Sequence, residues 1–387
     1  MTSSVPVVLS SLAMFAVACS IDSNAQGGPP TLAQTTGSSE GTANDSGSDG
    51  SAGADDATGT PIPAGPRRRR LDLAAAFVGR PEATLAIIVD ASRIEYADCQ
   101  PDGSDVRFFG PETGSPYPSE LEHWDPSGTS VFWVRVEGPL PEFLWMYYAD
   151  GERFASVPTP TVWDDDFAAV WHMVRGDDDD ILDATSPGIG LRPTDFAGDF
   201  DVPGQLGLAT HVEPSPGGVA PLRTSSADEL ALPNGFTIEA WVLLDEAEVT
   251  TTEFIAHKPQ AYQLRARETL VQRPSLVVHT PTNLGGVAVQ AAGSLSTTTW
   301  TYVAATYEPA DGALVIFRDG APEMTTTLAP PNAEVASSTE LMTVGEGMRG
   351  VLDEVRVSHG ARSVDWISLQ HASMRDALLT FGAPEAR

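Results

Sequence analysis

Basic residues are scarce in this 387-residue sequence, which has 22 lysines and arginines against 53 aspartates and glutamates and a formal net charge of −31. Nucleic-acid binding needs a basic face that displaces counterions from phosphates, so the composition argues against a nucleic-acid partner. It equally argues against adsorption to anionic lipid headgroups, which attract clusters of lysine and arginine. A cation such as calcium and a neutral ligand such as a glycan are compatible with this charge.

Cysteine is almost absent, since Cys19 and Cys99 are the only two in the sequence. They lie far apart in regions of unlike composition, and modification of Cys19 would leave Cys99 single, so we expect no disulfide in the fold. A nucleophilic role for Cys99 would require a histidine partner, and none can be named. We interpret Cys99 as a buried or merely unpaired thiol.

The sequence also lacks an apolar run long enough to cross a membrane, which takes about 20 residues. Residues 5–18 form a shorter run that is typical of the core of a signal peptide. The run ends in Ala16-Val17-Ala18 directly before Cys19, and this ending resembles the bacterial lipobox. The resemblance implies acylation of Cys19 and, because Ser20 follows it, an outer-membrane lipoprotein. Secretion after cleavage at Ala18 and a cytoplasmic protein are the alternatives.

Residues 20–66 contain no basic and no aromatic side chain and consist mainly of Gly, Ser, Thr, Ala, Pro and acids. Such a segment cannot bury enough apolar area to offset its ordering entropy, so we predict that it is disordered. Four arginines, 67–70, follow it. Binding to lipid phosphates and a protease site are alternatives, but we favour a solvated run at the domain edge. The sequence thus predicts a signal peptide at 1–19 and a disordered linker at 20–70.

After residue 71, short apolar, β-branched and aromatic runs alternate with turn residues, and helical periods are missing between them. Such runs, without intervening helices, predict antiparallel β-sandwiches. In residues 236–242, alternation places Trp241 opposite the main apolar face, which indicates that both faces are partly covered. Asp319-Gly320 predicts a hairpin turn, and Ser363 is a candidate cap for a helix over 364–369. Candidate strands are 85–89, 105–109, 131–136, 143–148, 236–244, 276–279, 287–290, 301–307, 313–318 and 350–357.

The second half resembles the laminin-G-like, concanavalin A-type jelly rolls of bacterial surface proteins. Five short phrases in the family's order carry the resemblance: Phe236-Thr237-Ile238-Glu239-Ala240-Trp241-Val242, Trp300-Thr301-Tyr302-Val303-Ala304-Ala305-Thr306-Tyr307, Phe317-Arg318-Asp319-Gly320 with Val344-Gly345, Gly350-Val351-Leu352-Asp353-Glu354-Val355-Arg356-Val357, and Ala361-Arg362-Ser363 through Trp366-Ile367. The resemblance implies a jelly roll over residues 166–380.

Residues 71–165 resemble a bacterial domain of unknown function that commonly precedes such lectin-like domains. The motifs that carry this resemblance are Asp102-Gly103-Ser104-Asp105-Val106-Arg107-Phe108, Leu121-Glu122-His123-Trp124-Asp125, Val131-Phe132-Trp133-Val134-Arg135-Val136 and Trp145-Met146-Tyr147-Tyr148. The expected fold class is therefore all-β: a β-sandwich domain followed by a concanavalin A-like (laminin-G-like) jelly roll, behind a disordered N-terminal tether.

Catalytic carboxylates are missing from the pattern expected of laminarinase-type relatives, Glu-x-Asp-x-x-Glu on one strand. Asp353 and Glu354 are adjacent, so in a regular strand they would point to opposite faces and could not act as a pair. We expect one of them to be a structural hydrogen-bond acceptor. No catalytic residue is assigned.

The densest acidic clusters are Asp164–Asp166 and Asp177–Asp180 with Asp183. Laminin-G-type folds often bind calcium at a loop rim, and Asp178, Asp180 and Asp183 are weak candidates for such a site. The spacing does not match an EF-hand loop, and a solvated acidic loop is the interpretation we favour.

The sequence therefore favours a non-catalytic surface binding or adhesion protein with a glycan or protein ligand on the concave face or loop rim of the jelly roll. The alternatives are a polysaccharide-active enzyme, hydrolase or lyase, with an unrecognised site, and a purely structural envelope protein. Calcium is the only cofactor that the sequence suggests, and contact with the membrane is expected only through the N-terminal lipid.

The lipobox resemblance generates the first testable prediction. We expect the native protein to partition into detergent, and Cys19→Ser to move it to the soluble fraction, because several acyl chains give stable membrane attachment. Detergent phase separation of the native-host protein measures this. Detection of an unprocessed Met1 by mass spectrometry would contradict it.

Overall fold

The structure is a computed structural model, and it describes residues 66–386 except 113, 150–160, 177, 187, 215–221, 247–250 and 270. Residues 1–65, which include the predicted signal peptide, Cys19 and most of the predicted linker, lie outside the described residues. The described part contains strands and a single long helix, which confirms the all-β fold class. None of the helices among these residues is both long and apolar enough to cross a membrane.

The strands and the helix are numbered here in chain order. The first group is β1 (Arg67–Leu73), β2 (Ala83–Val89), β3 (Arg107–Phe109), β4 (Ser119–His123), β5 (Ser130–Val136), β6 (Phe143–Tyr148), β7 (Phe167–Trp171), β8 (Leu191–Pro193), β9 (Asp199–Pro203), β10 (Leu208–Val212), β11 (Leu222–Thr224) and β12 (Phe236–Leu244). The second group is β13 (Glu253–Lys258), β14 (Tyr262–Arg267), β15 (Ser275–Thr280), β16 (Asn283–Gln290), β17 (Thr301–Glu308), β18 (Ala313–Arg318), β19 (Ala321–Thr327), β20 (Thr343–Val344), β21 (Gly350–His359), α1 (Val364–Met374), β22 (Leu379–Phe381) and β23 (Glu385–Ala386).

These strands form two β-sandwiches. In the first sandwich, a sheet ordered β22-β1-β6-β3, with β23 beside β1, faces the three-stranded sheet β2-β5-β4. In the second, an eight-stranded sheet ordered β19-β18-β17-β12-β21-β10-β9, with β7 also paired to β21, faces the seven-stranded sheet β16-β15-β14-β13-β20-β11-β8. Every strand pair is antiparallel, as the missing helical connections predicted.

Local signals located the central strands and the helix well. β6, β12 and β18 have the predicted bounds, and Asp319-Gly320 makes the β18–β19 turn with positive φ angles of 49° and 78°. Ser363 caps α1, since its side chain accepts a hydrogen bond from the Trp366 backbone N–H. The helix continues to Met374, beyond the predicted residue 369, because Ile367, Leu369 and Met374 are buried against the two sandwiches.

The linker boundary predicted at residue 70 is corrected by the structure, since Arg67–Arg70 belong to β1. Period-two alternation buries Arg67 and Arg69, and both form ion pairs with Glu95. The other two arginines stack on aromatic rings of β6, Arg68 on Trp145 at 4.0 Å and Arg70 on Phe143 at 3.7 Å. Four consecutive arginines predict a solvent-exposed segment, because the sequence does not show that their partners, Glu95 and the rings of β6, lie in distant segments.

β1 also pairs with β22 and β23 at the other end of the chain. The first sandwich is therefore built from residues at both ends of the described chain, and the second sandwich is inserted between them. A fragment that starts at Leu71 would lose four of the seven residues of β1. Pro66 is the better N-terminal limit for a fragment.

An apolar layer joins the two sandwiches. The three-stranded sheet of the first covers the outer side of the eight-stranded sheet of the second, and Trp133, Trp163, Trp241 and Tyr302 form the centre of this layer. Trp241 is fully buried, and its indole N–H lies 3.2 Å from the Met374 sulfur. The predicted coverage of both faces of β12 is thus confirmed, because Phe236, Ile238 and Val242 lie in the core between the sheets.

Burial of Trp241 leads to a stability prediction. Trp241→Ala should lower the free energy of unfolding by about 3–5 kcal/mol, because it leaves a cavity in the layer between the sandwiches. The half-buried Trp145 is the matched control, and Trp145→Ala should cost less. Urea unfolding of each full-length variant measures the change, and equal losses would contradict the assignment.

Candidate functional site

The exposed side of the seven-stranded sheet is the candidate ligand-binding surface of the second sandwich. Strand register aligns one outward-pointing row across it, in which Arg223 lies opposite Thr343, Thr343 opposite His257, and His257 opposite Gln263. The neighbouring inward row, with Ala256 opposite Leu264, belongs to the core. We call the outward-pointing residues the outer face: Arg223, Phe254, His257, Gln263, Arg265, His279 and Thr343.

One half of the outer face is organised by Glu346. Its Oε2 atom lies 2.8 Å from His257 Nδ1 and accepts a hydrogen bond from the Thr343 hydroxyl at 2.7 Å. The His257 ring stacks on Phe254, with ring centres 4.5 Å apart. The hydrogen bond from His257, which outweighs the effect of burial, lowers the pKa of Glu346. This carboxylate is therefore ionised, and its Oε2 atom is already hydrogen-bonded to His257 and Thr343.

The other half is a chain of hydrogen bonds around Gln263. Arg265 donates to Gln263 Oε1 from Nε at 3.0 Å and from Nη2 at 2.7 Å, while Gln263 Nε2 lies 3.3 Å from His279 Nε2. Arg265 also forms an ion pair with Glu268 at 2.7 Å. These contacts hold long polar side chains in fixed positions on a sheet, which is how binding sites keep hydrogen-bonding groups preorganised.

A cavity of about 230 Å³ opens at the edge of the outer face. Seven residues line it: Arg223, His257, Pro259, Glu340, the exposed Leu341, Thr343 and Glu346. Lys258 donates to the backbone oxygens of Ala227 and Glu340 and so fixes the loop that carries Glu340. The pocket thus combines charged and hydrogen-bonding groups on a rigid support.

Sequence reasoning did not assign this surface. In the sequence, His257 and His279 have no second histidine or cysteine at a metal-binding spacing, and the candidate strands do not include β13 or β14. A signal was available in Tyr262–Arg267, where Gln263 and Arg265 alternate with the buried Leu264 and Ala266. The alternation predicts a half-exposed strand, but the row across five strands depends on pairings that no single segment encodes.

The three calcium candidates are placed differently from one another. Asp178 is exposed, and Asp180 forms an ion pair with Arg192 at 3.2 Å. Asp183 accepts hydrogen bonds from the backbone N–H groups of Val170, Thr185 and Ile189, and so organises its own loop. In the described part of the chain, the side-chain groups with three potential metal ligands close together do not include them. Calcium binding there stays a prediction.

The structure corrects the expectation for Asp353 and Glu354, which both point from β21 toward the first sandwich. A β-bulge opposite β12 breaks the alternation, and Glu354 has a positive φ angle of 49°. Asp353 Oδ2 accepts a hydrogen bond from the Leu206 N–H at 2.9 Å, which confirms one structural acceptor.

Cys99 is unpaired among the described residues, and its burial raises the pKa of the thiol to about 12.

One family model matches the chain, at residues 216–368, and it is described as the concanavalin A-like lectin/glucanases superfamily. Residues 216–368 form a concanavalin A-like domain. The match contains most of the seven-stranded sheet and the whole of the outer face. The jelly roll expected from the resemblance is thereby confirmed, whereas the identity of the preceding domain stays a prediction. No curated protein sequence matches the chain.

The chain is also similar, at low identity, to solved structures that include two toxin binding domains and one domain of an arabinanase. The binding domain of Paraclostridial Mosquitocidal Protein 1 is 9% identical, with 53% of this chain and 52% of that chain covered and a TM-score of 0.43. The ligand binding domain of botulinum neurotoxin serotype D, in complex with N-acetylneuraminic acid, is 9% identical, with 55% and 52% covered and a TM-score of 0.43.

The third is domain 4 of AbnA, an extracellular arabinanase from Geobacillus stearothermophilus, in complex with arabinotriose. It is 17% identical, with 53% of this chain and 98% of that chain covered and a TM-score of 0.40. The chain spans about half the length of the two toxin domains that it matches.

The contacts of Asp183 generate a prediction about the acidic loop. Asp183→Ala should lower the free energy of unfolding by about 2–3 kcal/mol, because it leaves several backbone donors without an acceptor. Asp178→Asn, at an exposed position, is the control and should change it by less than about 0.5 kcal/mol. Thermal melts with and without calcium measure both variants. A calcium-dependent rise that Asp178→Asn abolishes would instead support the rim site.

Proposed function

We propose that this chain is a non-catalytic cell-surface binding or adhesion protein that recognises a glycan through the outer face of its concanavalin A-like domain. The observation that carries the proposal is the exposed, preorganised row of polar side chains on that sheet, beside the cavity at His257 and Glu346. The match to a lectin and glucanase superfamily supports the same class of ligand. A protein ligand on this surface is the second candidate.

The chemistry of the outer face suits a neutral sugar. Hydroxyl groups both donate and accept hydrogen bonds, and the outer face supplies amide, imidazole, guanidinium and carboxylate partners within one row. The stacked rings of Phe254 and His257 add a planar apolar element of the kind that packs against a sugar ring. The acidic chain would repel acidic polysaccharides at a distance, so a neutral glycan fits best.

Binding is favoured over hydrolysis by the state of Glu346. A glycosidase needs a carboxylic acid with a raised pKa to protonate the leaving oxygen. The pKa of Glu346 is instead lowered by its hydrogen bond to His257, and Glu268 is held in an ion pair with Arg265. Carboxylates in these states can accept hydrogen bonds from a sugar but are poorly suited to act as the acid.

We further propose that the chain is exported and attached to the outer membrane through lipid on Cys19. The short apolar run before Cys19 and the polar, low-complexity residues that follow support this location. A long polar spacer would let the outer face reach ligands away from the membrane surface.

The direct test is a glycan array probed with the full-length chain, followed by calorimetry on any glycan that binds. Gln263→Ala and His257→Ala should each weaken the affinity about tenfold or more, because each removes hydrogen bonds at the centre of the row. His359→Ala is the matched control, since this exposed histidine lies at the end of β21, outside the outer face. Its affinity should equal that of the unaltered chain.

The outcomes separate the candidate functions. A blank array would overturn glycan recognition and favour a protein ligand or a structural role. A glycan that binds with unchanged affinity to the Gln263→Ala and His257→Ala chains would place the site elsewhere. Release of reducing sugar from a bound polysaccharide would contradict the non-catalytic assignment.

A further inference from the structure

A second cluster of potential ligands lies buried where the two sandwiches meet, on the opposite sheet from the outer face. Its centre is His172, which directly follows β7. Glu354 from β21 approaches His172 Nδ1 to 2.7 Å, and Glu120 and Glu122 from β4 lie at 3.5 Å and 3.7 Å from its ring nitrogens. One ligand atom from each of Glu122, His172 and Glu354 lies within 4.8 Å of the others.

Two tryptophans fix the carboxylates of β4. The Trp133 indole N–H donates to Glu122 Oε2 at 2.7 Å, and the Trp163 indole N–H donates to Glu120 Oε2 at 2.9 Å. The same two rings enclose the imidazole, at 5.7 Å and 5.6 Å from its centre. Hydrogen bonds that orient ligating side chains in this way are typical of protein metal centres.

The remaining oxygens of these carboxylates lack partners. Glu122 Oε1 and Glu354 Oε2 have no hydrogen-bond partner within the protein. Water cannot readily reach them either, because the two side chains are only 2% and 0% exposed. A buried carboxylate oxygen without a partner is costly, so most such atoms in proteins are paired. These two atoms therefore indicate a ligand that the protein chain does not itself supply.

Charge points the same way. Three carboxylates, those of Glu120, Glu122 and Glu354, surround one imidazole, and Asp353 is the neighbour of Glu354 on β21, while the nearby Arg356 forms its ion pair with Glu239 at 2.7 Å. The cluster has too few positive charges for its acids, and a divalent cation would correct this imbalance.

The cluster can also be reached from solvent. A cavity of about 180 Å³ opens onto it, lined by Glu120, Glu122, His172, Arg175 and the exposed Leu182. Arg175 at its edge is engaged with Asp179 and Asp201. An ion would therefore have an entry path that does not require the sandwiches to separate.

We propose that Glu122, His172 and Glu354, with Glu120 at the mouth of the cavity, form a binding site for a divalent transition-metal ion that ties the two sandwiches together. The imidazole nitrogen selects the class of ion. Calcium and magnesium take oxygen ligands almost exclusively, whereas zinc and manganese accept a mixture of imidazole and carboxylate. Glu122 and Glu354 both lie nearest Nδ1, so the tautomer that carries its proton on Nε2, on the side of Glu120, leaves the lone pair of Nδ1 for the metal.

The proposed role follows from where the ligands originate. Glu120 and Glu122 belong to the first sandwich, whereas His172 and Glu354 belong to the second. A metal bound by both would stabilise the contact between them and neutralise the acids buried there. This role is independent of glycan binding, because the outer face lies on the far side of the second sandwich.

The test uses the full-length chain without a polyhistidine tag, stripped with EDTA and dialysed. Titration with Zn²⁺ or Mn²⁺ should load one ion per chain and raise the melting temperature by several degrees, with at least tenfold weaker binding of Ca²⁺. Glu354→Gln and Glu122→Gln keep the side-chain shape and should each lose that ion and the shift. Metal content by mass spectrometry and thermal melts measure these effects.

The matched control is the exposed group of His211, Glu213 and Asp245, which also brings three ligand atoms together. Asp245→Asn should keep the ion and the thermal shift. Loss of the ion in Asp245→Asn with retention in Glu354→Gln would overturn the proposal, as would Ca²⁺ binding as tight as Zn²⁺ binding. An absence of any bound transition metal would overturn it too and would favour a protonated His172 in an ionic cluster.

A measurement without variants covers the case in which they fail to fold. Crystals of the unaltered chain grown with Zn²⁺, with data collected at the zinc edge, should show an anomalous peak about 2.0–2.1 Å from an His172 ring nitrogen. A peak only at His211, or none, would overturn the proposal.

Discussion

The central strands β17, β12 and β21 of the eight-stranded sheet are buried on both faces, and the arrangement of the molecule depends on this. One face packs on the seven-stranded sheet, and the other is covered by the three-stranded sheet of the first sandwich. Exposure of that second face would leave Trp241, Tyr302 and Phe317 in water, and burying such side chains supplies the main favourable contribution to association. The first sandwich thus completes the core of the second.

This coverage also decides which surface can bind a ligand. Because one sheet is enclosed, the outer face of the seven-stranded sheet is the exposed broad face of the concanavalin A-like domain. Its polar residues are tied into hydrogen-bonded groups that leave further donors and acceptors directed to solvent. In the proposed function, ligand binding and domain packing are consequently separated, with one sheet devoted to each.

The contact between the sandwiches is unusual in burying ionisable groups within an apolar layer. Arg356 and Glu239 form an ion pair at 2.7 Å, and Gln370 of α1 accepts a hydrogen bond from Arg356 while donating to the Thr84 backbone of β2. Buried pairs of this kind contribute little net stability, but breaking one by removing a partner is strongly destabilising. They therefore favour one relative position of the two sandwiches over others.

Sequence reasoning succeeded where a signal is local. The period-two alternation of β12, the Asp319-Gly320 turn and the Ser363 cap each depend on neighbouring residues, and all three were confirmed. The short or polar strands β8–β11 were missed because their few residues carry no distinctive pattern. Arg67–Arg70 were misassigned to the linker because nothing in their own sequence indicates a strand. They form one only through the pairing of β1 with β6, β22 and β23.

By itself, the sequence determined the all-β class, the concanavalin A-like fold of residues 216–368 and the acidic, cysteine-poor character that disfavours nucleic acid and disulfides. These properties depend on composition and on patterns within short segments. Only the tertiary structure decided which polar residues share a surface, because the register of β13 against β14 and β20 is needed to align His257 with Gln263 and Thr343. It also decided that Asp353 and Glu354 face the same way, since a β-bulge forms only when two strands pair.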